Sequence, residues 1–374
     1  MAAFPPDSPG DGFGRFFLPG PTEVHPEVLE AQLLPMIGHR GDQIVALMGE
    51  IQEGLRTLFR TEKPVFLSTS SATGLMEAGV RNGVGRGLLA LVNGAFSERF
   101  ARIGEACGFP VERMETPWDR PHDPGEVARR LGTGRFDAVS VVHSETSTGM
   151  LNPVEEIAEV VHDFSDVLLL VDSVSGVGGA PLYADKWGLD FVLTGSQKAL
   201  ALPPGLSFGV ASDAMAARSE RAPGKGLYFD LTEHARQLEK LQTPSTPALS
   251  LMYALRVQLA RIRAEGIEAR WERHRTMAER TWAWVDELRD RRGLELSVFA
   301  PAGHRSPTVT CIQLPTGLHG PRVVAELRNR GYVIATGYGE MKGDSIRIGH
   351  MGEHDVEGLE RLLGELEVEL VGKE

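Results

Sequence analysis

The sequence predicts an α/β fold with a mostly parallel central sheet that is covered by helices on both faces. The first observation is a series of short apolar runs, at residues 64–68, 88–92, 138–142, 167–173, 191–196 and 207–212. Their unbroken apolar character is typical of strands that are buried on both faces. The second observation is that residues with helical spacing lie between several of these runs, which favours strands that alternate with helices.

The third observation concerns the end of the chain. Beyond Pro247 the pattern changes to two long helices, over 248–265 and 268–292, and then to a smaller mixed region that ends in a helix over 356–370. With 374 residues the chain also exceeds the size at which a single core stops growing. We therefore predict an N-terminal arm over 1–18, a large domain over 19–265 and a small α+β domain over 266–374.

Composition and charge limit the class of partner. The formal net charge of -12 argues against binding to nucleic acid or to an anionic membrane. No apolar run approaches the roughly 18 residues that a membrane helix needs. The two cysteines, Cys107 and Cys311, are too few for a disulfide framework or a thiolate metal cluster. We expect a cytoplasmic protein that binds small molecules and has no metal site.

Two predicted strand ends carry complementary chemistry. Asp172 ends one apolar run, and Lys198 follows the next run along the chain. Ligands of parallel sheets bind at the carboxyl ends of the strands. A pyridine cofactor needs an amine that forms an imine and a carboxylate that keeps the ring nitrogen protonated. An isolated pair of this kind is usually an ordinary surface lysine and a strand-end aspartate, so the neighbouring residues decide.

Small hydroxyl residues stand at a predicted helix start after another strand. Residues 68–79 read STSSATGLMEAG, where Ser71 and Thr73 can add hydroxyl donors to the free N–H groups of the helix. Serine and threonine are also common helix caps without any ligand. Phe96, which follows the strand at 88–92, could stack on a planar ring or simply belong to the core.

These motifs resemble a known family. The segments PGPT (19–22), SSATG (70–74), NGAFSER (93–99), HSETSTG (143–149), VDSVSGVGG (171–179), TGSQKAL (194–200), PPG (203–205) and RIGHMG (347–352) occur in the order found in the class V aminotransferases. The resemblance spans residues 17–365 and is strongest to the serine–pyruvate and alanine–glyoxylate branch. It implies the pyridoxal 5′-phosphate (PLP) transferase fold type I.

The resemblance also implies roles for single residues in binding PLP. Lys198 matches the Schiff-base lysine, and Asp172 matches the acid that pairs with the pyridinium. The remaining positions are matched as follows: Ser71, Ala72, Thr73 and Gln197 to the phosphate ligands, Phe96 and Val174 to the residues above and below the ring, and Thr146 to a hydroxyl near the phenolic oxygen.

Arg347 and Gly20 match the family's substrate site. Arg347 lies in the apolar run SIRIGH, and a buried guanidinium is costly unless it is paired. Its planar fork suits a substrate carboxylate. On residue type alone a structural ion pair with an Asp or Glu is the more common case, and the match to the family's substrate arginine favours the carboxylate instead. Gly20 corresponds to a turn whose backbone contacts the same carboxylate.

One departure concerns the subunit interface. In the family a segment of the neighbouring subunit reaches the phosphate with a tyrosine and a threonine. Here the segment reads KLQTPSTPALS, which offers Thr243, Ser245 and Thr246 but no tyrosine. We expect a homodimer with active sites near the interface. His39 and Arg40 resemble a pattern near that interface or are only structural.

The expected function is therefore a ping-pong aminotransferase for a small amino acid, with alanine or serine favoured, and a small 2-oxo acid, with glyoxylate or pyruvate favoured. Aspartate or 2-aminoethylphosphonate transamination stays open. So do a lyase or desulfurase reaction and, from a different class, a non-catalytic binding protein. A desulfurase needs a cysteine on a mobile loop, whereas Cys311 lies in an apolar strand-like run.

Overall fold

The computed structural model describes residues 13–372, which form thirteen strands and twelve α-helices. The strands are β1 (Val65–Ser68), β2 (Leu88–Val92), β3 (Val111–Glu115), β4 (Ala138–Val142), β5 (Ser144–Glu145), β6 (Met150–Leu151), β7 (Leu168–Asp172), β8 (Phe191–Gly195), β9 (Ser207–Ala211), β10 (Ser297–Val298), β11 (Val309–Gln313), β12 (Ala335–Thr336) and β13 (Ser345–Gly349).

The helices are α1 (Pro26–Glu30), α2 (Asp42–Phe59), α3 (Ala72–Gly83), α4 (Ala95–Ala106), α5 (Pro124–Leu131), α6 (Val154–His162), α7 (Asp213–Arg221), α8 (Leu231–Leu238), α9 (Leu249–Glu265), α10 (Ile267–Arg292), α11 (Gly320–Asn329) and α12 (Val356–Val371). Short 3₁₀ turns cover Ala31–Leu33 and Gly339–Lys342.

The central sheet has seven strands in the order β1-β9-β8-β7-β4-β2-β3. Only β9 runs against its neighbours in this sheet, as its antiparallel pairing with β1 and β8 shows. Every residue of β1, β2, β4, β7 and β8 is buried, so both faces of the sheet are covered. The predicted fold class, with a mostly parallel sheet, is confirmed.

Local sequence explains where several helices begin and end. The side chains of Asp123, Ser212, Asp230 and Asp355 accept hydrogen bonds from the first turns of α5, α7, α8 and α12. Such caps satisfy N–H groups that have no partner within the helix. Gly266 separates α9 from α10 with a φ of +86°. A residue with a side chain rarely adopts that backbone conformation, so the break between the two helices requires glycine.

The described residues form two large apolar cores. The first surrounds the central sheet and includes Trp271 of α10, whereas the second begins further along the same helix at Met277. The second core lies against the small antiparallel sheet β10-β11-β13-β12. The division of the chain at residues 18 and 266 stays a prediction.

The N-terminal segment joins the second core. Phe17 is fully buried there, and its carbonyl accepts a hydrogen bond of 2.8 Å from the Gly349 amide in β13. Most of the predicted arm, residues 1–12, lies outside the described residues. Within the part of the chain that is described, no helix combines the length and the apolar composition needed to cross a membrane.

Candidate active site

A cavity of about 280 Å³ lies at the carboxyl edge of the central sheet. Most of the predicted site residues line it, namely Gly20, Ser71, Ala72, Thr73, Phe96, Thr146, Asp172, Val174, Gln197 and Lys198. Topology explains this convergence, because β1, β2, β4, β7 and β8 are parallel to one another and their carboxyl ends therefore share one edge.

Lys198 is buried at this edge, with only 7% of its surface exposed. Burial lowers the pKa of its ammonium group to about 8, and the positive charge of Arg347 adds to the effect, whereas the Asp172 carboxylate opposes it. Its Nζ atom donates a hydrogen bond to the Pro19 carbonyl. A substantial fraction of this amine is thus neutral, and hence nucleophilic, near physiological pH.

The main chain around Lys198 is fixed by hydrogen bonds to three successive carbonyl groups. The Gln197 carbonyl accepts from the Thr22 amide at 3.0 Å, and the Lys198 carbonyl accepts from the Thr22 hydroxyl at 3.0 Å. The Ala199 carbonyl accepts from the buried guanidinium of Arg270 at 2.8 Å. These bonds hold the lysine in one orientation toward the cavity.

Gly20 lies directly against the lysine. A Cβ atom at this position would overlap the Lys198 side chain, and φ is +96°, which a residue with a side chain rarely adopts. The position therefore requires glycine for two independent reasons. Its backbone borders the cavity, as the sequence predicts.

Asp172 ends strand β7 and is buried. Its Oδ1 atom accepts a hydrogen bond of 2.8 Å from the Val174 amide, and among residues 13–372 no other hydrogen bond reaches this carboxylate. Burial raises the pKa of the Asp172 carboxyl to about 7. A buried acid with so few partners is suited to a cation that arrives with a ligand.

Helix α3 begins at the cavity with free N–H groups. Ser71 is the residue before the helix, and its side chain makes no capping hydrogen bond to it. Gln197 lies close by, since a Cβ atom on Gly195 would be 2.7 Å from Gln197 Oε1 and 3.2 Å from the Ala72 Cβ. Free N–H groups, the helix dipole and nearby polar side chains make this end of the cavity an anion site.

Phe96 lies in the first turn of the neighbouring helix α4, and its ring centroid is 5.8 Å from Lys198 Nζ. The buried carboxylate of Glu145 accepts hydrogen bonds from the Phe96 amide at 3.2 Å and from the Ser97 amide at 2.9 Å. Glu145 therefore caps α4 and fixes the position of the aromatic ring. Val174 lines the same cavity from the loop after β7.

Arg347 is buried in β13, and its guanidinium donates to two carbonyl groups. Nη1 bonds to the Thr146 carbonyl at 2.9 Å, and Nε bonds to the Thr336 carbonyl at 3.0 Å. Burial lowers the pKa of the Arg347 guanidinium. Within the described residues Arg347 forms no ion pair with an Asp or Glu. The alternative role that the sequence left open, a structural ion pair, is therefore excluded for these residues. The Thr146 hydroxyl lies 2.5 Å from that of Ser175.

Several residues near the predicted site were not foreseen from the sequence, and two of them, Arg99 and Tyr338, carry side chains that bear on substrate binding. Arg99 lines the cavity, and its guanidinium lies 4.9 Å from the centroid of the Phe96 ring. A spacing of three residues puts Phe96 and Arg99 on one face of α4, so helical periodicity could have found it. Tyr338 lies 5.5 Å from Phe96, ring to ring, and comes from a distant turn that no local pattern connects with the strand ends.

Thr243 and Thr246 do not reach this cavity within the chain. They line a separate, smaller pocket together with Ser68 and Tyr228. Arg40 holds their segment by a 2.7 Å hydrogen bond to the Thr243 carbonyl.

Comparisons with known proteins identify the family of the chain. Residues 27–343 match the family described as aminotransferase class-V. An uncharacterized aminotransferase of Methanocaldococcus jannaschii is 41% identical over 343 residues, which are 90% of this chain and 87% of the relative. An alanine–glyoxylate aminotransferase of Callithrix jacchus is 35% identical over 345 residues, which are 89% of this chain and 82% of the relative. A third relative, from Synechococcus sp., is named "soluble hydrogenase, small subunit". It is 34% identical over 362 residues, which are 93% of this chain and 92% of the relative.

A solved structure resembles the whole chain. The crystal structure of an alanine–glyoxylate aminotransferase from Nostoc sp. superposes with a TM-score of 0.89 at 32% identity and covers 97% of each chain. A fold and a site of this kind define a PLP-dependent transaminase. The chain belongs to the aminotransferase class-V family.

The residues of the cavity fit PLP. The start of α3 offers free N–H groups, and Asp172 offers a carboxylate that accepts a single hydrogen bond. The Lys198 amine belongs to the same cavity. These are the groups that a phosphate, a pyridine nitrogen and an aldehyde require.

Proposed function

We propose that this transaminase moves the amino group of a small amino acid, alanine or serine, to a small 2-oxo acid, glyoxylate or pyruvate. The observation that carries the proposal is the buried Arg347 guanidinium, which has no carboxylate partner among the described residues and so suits the carboxylate of a substrate. Arg347 is not itself among the residues that line the cavity, but it donates a hydrogen bond to the carbonyl of Thr146, which does line it. The cavity supports small substrates, because about 280 Å³ is at the lower end of small-molecule sites and must also hold the cofactor.

The proposed roles of the cofactor ligands follow the geometry of the cavity. Ser71, Ala72, Thr73 and Gln197 would hold the phosphate at the start of α3. Phe96 and Val174 would cover the two faces of the ring, and Thr146 would bond to the phenolic oxygen or to its neighbours. Asp172 would keep a proton on the ring nitrogen, because a buried carboxylate is stabilised by an adjacent positive charge.

The chain's own residues then share the work of each half-reaction. Bound PLP supplies an aldehyde for the substrate amine and a protonated ring that accepts the electron pair left when the α-proton departs. Arg347 and the Gly20 backbone hold the substrate carboxylate. The freed Lys198 amine takes the α-proton at Nζ and releases it again within the same half-reaction, for which a pKa of about 8 is well suited. An amino acid and a 2-oxo acid react in turn, which is ping-pong kinetics.

A dicarboxylic donor such as aspartate is the second candidate, and Arg99 is the observation that favours it. Arg99 brings a guanidinium into the lining of the cavity and forms no ion pair among residues 13–372. However, its charge is partly engaged by the Phe96 ring at 4.9 Å and by the Tyr338 hydroxyl at 3.5 Å. We therefore favour the small donor. 2-Aminoethylphosphonate is disfavoured for a different reason, since it lacks the carboxylate that Arg347 suits.

The two cysteines argue against a desulfurase. Cys311 is buried in β11, where burial raises the pKa of its thiol to about 11. Burial also raises the pKa of the Cys107 thiol, and neither cysteine lines the cavity. Both are unpaired, which is in keeping with the reducing cytoplasm that we predict.

A panel of amino donors tests the proposal. With the holoenzyme, alanine and serine should remove the absorbance band of the lysine-bound cofactor faster than aspartate, glutamate or 2-aminoethylphosphonate. Arg347→Gln should lower kcat/KM for every α-amino acid by roughly 10- to 150-fold, the equivalent of a charged hydrogen bond of about 1.5–3 kcal/mol. A clear preference of the wild type for aspartate would overturn the small-donor proposal in favour of the second candidate.

We also propose that the active form is a homodimer in which Thr243 or Thr246 of each chain reaches the phosphate of the other. Most of the exposed large apolar side chains occur in two segments, at 29–36 and 227–228, where Leu33 is 84% exposed and Leu227 is 81% exposed. Apolar exposure of this extent is typical of an interaction surface. Tyr228 borders the same small pocket as the two threonines.

Disrupting this surface should dissociate the protein. For the double variant Leu33→Glu and Met36→Glu, analytical ultracentrifugation should give the mass of one chain, whereas the wild type should give twice that mass. Affinity for PLP should fall in parallel, because the phosphate loses the partner's hydroxyl. Val368→Glu is the control, since Val368 is 40% exposed on α12, outside both segments. A double variant that remains dimeric with unchanged affinity contradicts the proposal.

A further inference from the structure

A second cavity adjoins the candidate active site across the first turn of helix α4. It has a volume of about 490 Å³. The residues of this turn alternate between the two spaces, since Phe96 and Arg99 line the active-site cavity and Ala95 and Glu98 line the second one. Tyr338 lines the second cavity, and its ring lies 5.5 Å from that of Phe96. The first turn of α4 thus lies between the two spaces, with the Tyr338 ring beside it.

The ring of Tyr338 contacts three groups of the active site. Its centroid lies 5.5 Å from that of Phe96 and 5.5 Å from the Arg347 guanidinium, and its hydroxyl accepts a hydrogen bond of 3.5 Å from Arg99. Phe96 is the proposed cover of the cofactor ring, and Arg347 is the proposed partner of the substrate carboxylate. Tyr338 does not itself line the active-site cavity, but its ring packs against Phe96, which does, and against Arg347.

A tight turn fixes Tyr338 in this position. The Gly337 amide donates to the Ser345 carbonyl at 2.7 Å, and the Met341 amide donates to the Tyr338 carbonyl at 3.1 Å. The Ser345 hydroxyl closes the turn with a 2.8 Å hydrogen bond to the Met341 carbonyl. A side chain on Gly337 would overlap Met341 and Ser345, so the backbone of the turn has little freedom. The backbone position from which the Tyr338 ring projects is therefore fixed.

We propose that Tyr338 determines donor specificity by limiting the substrate to a small side chain, an inference that rests on the proposed transaminase function. Removing the ring would join the two cavities. The second cavity offers the apolar side chains of Trp118, Phe299 and Met341. It would accept a bulky apolar side chain such as that of leucine or phenylalanine. Glu98 and Glu340 also line it and disfavour an anionic side chain.

The test compares Tyr338→Ala with Tyr338→Phe in the holoenzyme. Tyr338→Ala should raise the ratio of kcat/KM for phenylalanine to that for alanine by about tenfold or more, the scale on which a pocket discriminates apolar groups. Tyr338→Phe keeps the ring and should retain the wild-type ratio. Tyr338→Leu, with an intermediate volume, should give an intermediate ratio and serves if the alanine variant does not fold.

Binding gives a readout that does not depend on turnover. 3-Phenylpropanoate and propanoate both carry a carboxylate but no amine, so they can occupy the site without reacting. Calorimetry should find tighter binding of 3-phenylpropanoate relative to propanoate in Tyr338→Ala than in the wild type. Melting temperature and cofactor content, measured for each variant, identify those that fold as the wild type does.

The outcomes are distinguishable. If the wild type transaminates alanine but Tyr338→Ala leaves both ratios unchanged, the inference is wrong and the proposed function stands. If Tyr338→Phe changes the ratios as much as Tyr338→Ala, the hydroxyl and its bond to Arg99 are responsible. The steric role of the Tyr338 ring is then refuted. With glutamate added as a donor, a gain for glutamate equal to that for phenylalanine contradicts the second cavity as the receiving space. If the wild type transaminates no amino acid, the proposed function fails and the inference fails with it.

Discussion

Lys198→Ala is expected to abolish transamination together with the absorbance band of the lysine-bound cofactor. The loss should exceed the roughly 10²- to 10⁴-fold that a positioned acid or base contributes, because the variant loses the covalent anchor as well as the proton carrier. Single-turnover kinetics with alanine and an absorbance spectrum measure the two effects. Lys186→Ala is the control, since Lys186 is exposed and does not line the cavity. Turnover near the wild-type rate in Lys198→Ala would refute the assignment.

The same lysine predicts a pH dependence. Only the neutral amine attacks an aldehyde, and the neutral fraction rises as the pH increases through the pKa. With the pKa lowered from 10.5 to about 8, covalent uptake of PLP by the cofactor-free protein should accelerate with rising pH and level off above about 8. The Asp172 carboxylate raises the pKa of Lys198, so Asp172→Asn should move the midpoint to a lower pH. A midpoint near 10.5 would mean that the amine is not buried in solution.

Asp172→Asn is expected to slow the half-reaction with alanine by roughly 10²- to 10⁴-fold, the range of a positioned acid or base. Asparagine has nearly the same volume but no charge, so it cannot hold a proton on the ring nitrogen. The electron pair released with the α-proton is then accepted less readily. Rapid-scanning absorbance of the single turnover measures the effect, and a rate within about threefold of the wild type would exclude the proposed role.

Asp190→Asn is the matched control for this prediction. Asp190 is also a buried aspartate beside the central sheet, where it accepts hydrogen bonds from the Leu169 amide at 2.9 Å and the Ser212 hydroxyl at 2.7 Å. It does not line the cavity. We expect its replacement to lower the melting temperature and to leave the half-reaction rate of the folded enzyme close to that of the wild type. The contrast separates catalysis from the loss of a buried charge.

Part of this site could be predicted because local patterns encode it. The unbroken apolar runs fix the buried strands, and the carboxyl ends of parallel strands converge by geometry, which is why Asp172 and Lys198 could be assigned to one crevice. Strand β3 (Val111–Glu115) was missed, since it lies at the edge of the sheet and carries polar residues. The antiparallel direction of β9 was equally invisible, because an apolar run does not reveal the direction of its strand.

Other parts depend on tertiary packing that no local pattern contains. Tyr338 lies in the turn between β12 and β13 and meets Phe96, more than 200 residues earlier in the chain, only through tertiary packing. Arg347 could be marked as unusual from its apolar surroundings. Whether it has a carboxylate partner is decided by every chain segment around β13, so only the structure could answer that question.

The capping of helix α4 has a consequence for the direction in which a long, asymmetric ligand can lie. Helices α3 and α4 both begin at the cavity, and by backbone alone either start could attract a phosphate. The start of α4 is already neutralised by Glu145, whose carboxylate would repel a second anion. Only α3 is left to receive one. A single buried glutamate thus restricts where the cavity can accept an anion, and with it the orientation in which PLP would be held.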